Sequence, residues 1–173
     1  MGRRGRSTIE GPTLFFVTTT VRGRANMFAD KSRLYELETI LFDTVRIKKV
    51  YLMAYVLMPS HLHLMVGCKG GGKELSRIMQ TLKIISAKRM FPGSGSIWKQ
   101  RFDDFSIRSE EHFYTKLNYI HDNPVRAGLV ADPCDWPFSS ASAWIEGAPV
   151  EGLVKDMSWT DATRLRKVSN VGI

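Results

Sequence analysis

Cysteine is nearly absent: Cys68 and Cys134 are the only two in 173 residues. They lie far apart and in no metal-ligand spacing, which excludes a disulfide framework and a cysteine-rich zinc site. Free thiols fit a reducing compartment, so the cytoplasm is the expected location. No apolar run approaches the ~20 residues that a membrane span needs. The opening residues 1–7 are basic, but no apolar segment follows them, so they do not read as a secretory signal. Internal repeats are lacking too. The one glycine-rich stretch, Lys69-Gly70-Gly71-Gly72, lacks the Walker spacing, and no nucleotide cofactor is expected. Acidic residues are in short supply: 17 against 25 lysines and arginines, for a net charge of +8. Such an imbalance suggests a polyanionic partner. A membrane surface fits less well, because no helix joins a basic face to exposed large apolar residues.

What the chain does have is a core's worth of apolar residues, 43% of the total, in ordered patterns. Leu14 to Val21 is β-branched and aromatic and predicts a first strand. Leu34, Leu37, Leu41 and Val45 recur at helical spacing after a cap at Asp30 or Ser32. Val50 to Leu57 is a second strand and His61 to Gly67 a third, joined through Met58-Pro59-Ser60 as a hairpin. Lys73 to Met90 predicts a helix with Leu75, Ile78, Met79, Leu82 and Ile85 on one face and Lys83 and Lys88 among the residues opposite. Asp103 to Arg108 is a short strand. A last helix starts at Ser109-Glu110-Glu111 and is expected to end near Asp122, because Pro124 disfavours helical geometry at Asn123. Strand, helix, strand, strand, helix, strand, helix indicates an α+β fold: a ferredoxin-like antiparallel sheet with helices on one face. The expected division is one domain over 1–145, with a basic N-terminal arm, and a weakly patterned C-terminal tail over 146–173.

Within this frame, residues 58–66 (Met-Pro-Ser-His-Leu-His-Leu-Met-Val) stand out. Positions i and i+2 of a strand share a face, so His61 and His63 project side by side. Two parallel imidazoles are half of a metal site, or simply strand histidines with ordinary partners. In the last helix, Phe113, Leu117 and Ile120 form the apolar stripe. Tyr119 lies about 100° off it, with Asn123, Lys116 and His112 on its side. Taken singly, Tyr119 is a surface tyrosine and Asn123 a helix cap. Trp98, between Ile97 and Lys99-Gln100-Arg101, suits either base stacking or packing at a core edge.

Together these features resemble the HUH single-tyrosine transposases, in particular the REP-associated tyrosine transposase branch. The resemblance rests on residues 55–66 and on the stretch Tyr119-Ile120-His121-Asp122-Asn123-Pro124-Val125-Arg126-Ala127-Gly128-Leu129-Val130. Weaker echoes lie at 16–19, around Trp98 and at 137–140. The resemblance implies the HUH endonuclease fold. It implies His61, His63 and Asn123 as ligands of a divalent metal, Mg²⁺ or Mn²⁺, and Tyr119 as the nucleophile. Attack by Tyr119 on a phosphodiester would leave a 5′-phosphotyrosine and a free 3′-OH. The implied substrate is single-stranded DNA with an imperfect palindromic hairpin, and the branch implies a monomer. Arg3, Arg4, Arg6, Lys83, Lys88, Trp98 and Arg101 are the candidates for DNA contact. His121 projects away from the tyrosine face and is expected to pack rather than ligate. A histidine-triad hydrolase would need a third histidine at position 65, which is methionine. A non-catalytic nucleic-acid-binding module explains the charge and Trp98, but has no use for His61, His63 or Tyr119.

Overall fold

The computed structural model describes residues 9–155. Its frame is a four-stranded antiparallel sheet in the order β2-β3-β1-β4. The strands are β1 (Thr13–Thr20), β2 (Tyr51–Leu57), β3 (His61–Cys68) and β4 (Asp103–Ile107). The helices are α1 (Lys31–Lys48), α2 (Gly71–Met90), α3 (Glu110–Arg126) and a short α4 (Ala141–Ile145). The α+β class and the element order agree with the sequence pattern. None of the helices is long and apolar enough to cross a membrane among the described residues.

The register explains how one strand serves two layers. Thr18 pairs with His63, and His63 pairs with Val56. Their neighbours Val17, Leu64 and Tyr55 point the opposite way. Tyr55 meets α1, where its hydroxyl donates to Glu38 at 2.8 Å and its ring packs edge-on against Phe42. His63 meets α3 through Asn123. The helices therefore flank both faces of the sheet, with α3 opposite α1, rather than lying on one face as the element order suggested. Burial on both sides makes β2 and β3 almost continuously apolar.

Local chemistry sets the helix ends. The Asp30 carboxylate accepts from the Ser32 amide at 2.8 Å and starts α1. Leu34, Leu37, Leu41 and Val45 are all buried, as their spacing predicts. Helix α2 begins two residues before the expected start, with Gly71 and Gly72 in its first turn. Gly71 has φ +65°, and an added Cβ there would lie 2.2 Å from the Ile9 carbonyl oxygen. That approach lets the Gly72 amide bond the same carbonyl at 2.9 Å. Ile85 is a correction: it is 37% exposed, and Ser86 and Ala87 take the buried positions instead.

Helix α3 is also longer than the sequence implied. It starts at the Ser109 cap, whose hydroxyl accepts from the His112 amide. It then runs through Pro124 to Arg126. Proline removes the donor that the Ile120 carbonyl would use and crowds Asn123. Burial of Ile120, Asn123 and Pro124 outweighs that local preference, and the Ala127 amide still closes on the Asn123 carbonyl at 3.0 Å.

After α3 the chain returns along the outer edge of β2. Trp136 Nε1 donates to the Leu57 carbonyl at 3.0 Å, and Trp144 Nε1 to that of Met53 at 2.8 Å. The Val154 amide bonds the Leu52 carbonyl at 2.8 Å. An edge strand exposes unpaired backbone groups, and this segment covers them. Val150 and Leu153 pack against the core. The described part of the tail, 146–155, thus lies against the sheet.

Candidate active site

The hairpin β2–β3 puts His61 and His63 on the face that α3 covers. Asn123 arrives from the last turns of α3 and lies between them. Its Oδ1 is 3.0 Å from His61 Nε2, and its Nδ2 is 3.1 Å from His63 Nε2. The other ring nitrogens face hydroxyls: His61 Nδ1 lies 3.2 Å from Ser60 Oγ, and His63 Nδ1 2.8 Å from Thr18 Oγ1. One amide bridging two imidazoles requires opposite tautomers. His63 Nε2 accepts from the amide nitrogen, so its Nδ1–H donates to Thr18. His61 Nε2–H donates to the amide oxygen, so its Nδ1 accepts from Ser60.

Burial keeps both rings neutral. It pushes His63 down to about 3, with the cost of charging two neighbouring imidazoles, His61 and His63, and the Lys116 charge acting in the same direction. His61 is also lowered, by burial and by Arg24, against the hydrogen bond to Asn123. Tyr119 sits one helical turn before Asn123. Its ring is edge-on to His63 at 5.2 Å and to Phe16 at 5.8 Å, and it is 37% exposed. Tyr119 is therefore beside the histidines yet open to solvent. The Lys116 ammonium lies over Phe16 at 4.7 Å, Phe105 at 5.2 Å and Tyr119 at 5.9 Å. The Arg126 guanidinium lies over Tyr119 at 5.6 Å.

The donor set fits a divalent cation. Among the described residues no group of three His, Cys, Asp or Glu could hold a metal, so a third protein ligand has to come from another residue type. The Asn123 amide, whose oxygen meets His61 and whose nitrogen meets His63, offers such a donor in its oxygen. A neutral imidazole presents a lone pair without first losing a charge-bearing proton. Moving the His61 proton from Nε2 to Nδ1 needs only that the Ser60 hydroxyl turn from donor to acceptor.

The remaining candidates are dispersed. Trp98 is a correction: it is 1% exposed, its Nε1 donates to Ser86 Oγ at 2.8 Å, and it stacks on Phe28. An indole enclosed in this way has no free face for a base. Lys83 is on the surface of α2, with its ammonium donating to the Lys99 carbonyl at 2.8 Å. Lys88 and Arg101 are exposed. The segment carrying Lys99 bonds back to β1, through the Lys99 amide to the Thr20 carbonyl at 2.9 Å, at the same end of the sheet as His61. Arg3, Arg4 and Arg6 lie outside the described residues. His121 is buried, with Nε2 2.9 Å from Ser140 Oγ, away from Tyr119. Pattern reasoning gave no role to Thr18, Ser60, Lys116 or Arg126. Thr18 could have been found from strand pairing with His63, and Arg126 belongs to the 119–130 stretch.

A family model described as "Transposase IS200 like" matches residues 15–123, which spans β1 to the candidate ligand Asn123. The chain is similar to the REP-associated tyrosine transposase of Escherichia coli strain K12. The two are 27% identical over 142 residues, covering 81% of this chain and 82% of the relative. It is also similar to a solved structure of a REP-associated tyrosine transposase bound to a REP hairpin. That match has a TM-score of 0.71 and 25% identity, and covers 90% of this chain and 93% of the other.

Proposed function

The chain belongs to the IS200-like transposase family, and we propose that it cleaves and rejoins single-stranded DNA at REP-like hairpins through a phosphotyrosine at Tyr119. One observation carries the reading. Asn123 bridges His61 and His63 while Tyr119, one turn earlier on the same helix, stands edge-on to His63.

In this account His61, His63 and Asn123 would hold Mg²⁺ or Mn²⁺, which would supply Lewis acidity toward the scissile phosphate. Tyr119 provides the nucleophile. Its oxygen forms a bond to phosphorus and its proton passes to solvent. The bond from phosphorus to the 3′-oxygen breaks, and that oxygen leaves as a 3′-hydroxyl after taking up a proton. The product is a 5′-phosphotyrosine diester. Because one ester replaces another, attack by a second 3′-hydroxyl reverses the step and joins strands without ATP. Exposure of Tyr119 admits the DNA strand. Thr18 and Ser60 orient the two imidazoles. The chain acts as a monomer in the cytoplasm, with Tyr119 serving its own histidines. Lys83, Lys88, Arg101 and the arm carrying Arg3, Arg4 and Arg6 supply phosphate contacts to the hairpin and its flank.

The test is a cleavage assay. Labelled single-stranded DNA carrying a REP-like hairpin is incubated with Mn²⁺ or Mg²⁺ and with wild type or Tyr119→Phe. Metal-dependent cleavage with a covalent protein–DNA band, lost in Tyr119→Phe, is the expected result. Equal binding by both proteins with no cleavage on any hairpin would favour a non-catalytic DNA-binding module.

A further inference from the structure

Lys116 and Arg126 have no part in the chemistry described so far, yet both place their charge on the Tyr119 ring. Lys116 is one turn before Tyr119 and Arg126 is two turns after it. Long side chains on a helix lean toward its N-terminus, which brings the Arg126 guanidinium back to 5.6 Å from the Tyr119 ring centre. Lys116 is fixed more tightly, by contact with the rings of Phe16 on β1, Phe105 on β4 and Tyr119. Ring faces attract a cation, but each contact is modest at an exposed site. The ion pairs found among the described residues, Arg46–Asp43 and Arg89–Glu36, involve neither side chain. Two cations thus stand around the one phenol that is aimed at a phosphodiester.

We propose that Lys116 and Arg126 form a clamp on the non-bridging oxygens of the scissile phosphate, holding it before attack and holding the phosphotyrosine diester after it. This rests on the reading of Tyr119 as nucleophile. A phosphoryl group on the Tyr119 oxygen would lie just beyond the ring edge, within a side-chain rotation of both cations. Its negative charge would meet a guanidinium, which can donate two hydrogen bonds, and an ammonium, which acts as a point charge. The three aromatic contacts limit the positions open to the Lys116 ammonium, so it is already near its place before DNA arrives. The clamp serves cleavage and rejoining alike, because the same phosphate is the electrophile in both directions.

The test is single-turnover cleavage at saturating hairpin DNA by Lys116→Met, Arg126→Gln and the conservative Lys116→Arg and Arg126→Lys. A matched substrate carries a methylphosphonate at the scissile position, which removes the charge on the clamped oxygens. A charge-assisted hydrogen bond sets the expected loss at about tenfold to a hundredfold in cleavage rate for each neutral variant. Hairpin affinity stays within about twofold of wild type. The conservative variants recover most of the rate. On the methylphosphonate substrate, variant and wild type converge, because the charge being read is gone. A side chain that only supports the fold would show the same deficit on both substrates, and that result overturns the clamp. Wild-type rates in both neutral variants also overturn it. Arg126→Gln serves if Lys116→Met fails to fold. A wild type that forms no Tyr119-linked product on any hairpin would instead overturn the reading on which the clamp rests.

Discussion

Truncating Trp98 separates a core residue from a DNA contact. Trp98→Ala removes an indole that is 1% exposed and stacked on Phe28 with ring centres 5.2 Å apart. The lost hydrogen bond is a small part of the cost, because the Ser86 hydroxyl still donates to the Leu82 carbonyl at 2.7 Å. The cavity dominates, and truncations of buried aromatic residues to alanine cost about 3–5 kcal/mol. At about 2–4 °C per kcal/mol for a domain of this size, the melting temperature should fall by roughly 10 °C. Trp98→Phe keeps most of the volume and should cost about 1–2 kcal/mol. Urea unfolding followed by far-UV circular dichroism gives these values. Salt-dependent hairpin binding is measured beside them, at a temperature where Trp98→Ala remains folded. A buried Trp98 predicts unchanged affinity and an unchanged salt slope. Unfolding within about 1 kcal/mol of wild type, with affinity down tenfold or more, would show that Trp98 stacks on a base.

Three further predictions address other parts of the molecule. Burial pushes His121 down to about 4, so the fold favours its neutral form. Its contribution is complete above the unfolded value near 6.5 and is lost as pH falls from there toward 4. It amounts to about 3 kcal/mol, and denaturant midpoints at pH 7.5 and 4.0 should show a loss that is smaller in His121→Gln. Thr18→Val removes the hydroxyl 2.8 Å from His63 Nδ1, and calorimetric titration with Mn²⁺ should show affinity lowered about 10- to 100-fold with little change in melting temperature. Gly71→Ala sets a Cβ against the Ile9 carbonyl at a positive φ, and should cost about 2 kcal/mol or more in thermal unfolding.

Much of this arrangement was legible because the patterns are short in range. Alternation at 61–64 together with Pro59 marks the histidine hairpin, and both histidines do fall on one face. Helical spacing places Tyr119 and Asn123 on one side of α3. What escaped pattern reasoning depends on contacts distant in sequence. Pro124 predicts an early stop, but its burial keeps it inside the helix. Trp98 borders a run of polar and cationic residues and reads as half-exposed, yet its partner is Ser86 on α2. Gly71 and Gly72 look like a flexible break until Ile9 is seen beside them. The return along β2 by Trp136, Trp144 and Val154 has no periodicity to read. Its order comes from the strand edge that it covers. Helical spacing puts Lys116 on the Tyr119 side but does not show its other ring contacts, because the strands that carry Phe16 and Phe105 meet it only through the folded sheet.

The central claim is that Tyr119 becomes covalently joined to DNA. The most direct measurement is peptide mapping by mass spectrometry after reaction with a metal ion and a hairpin substrate nicked so that rejoining is blocked. The account predicts a peptide containing Tyr119 that carries a 5′-linked nucleotide, absent when the metal is chelated and absent from His63→Ala. A nucleotide adduct on any other residue, or metal-dependent cleavage with no adduct at all, would contradict it.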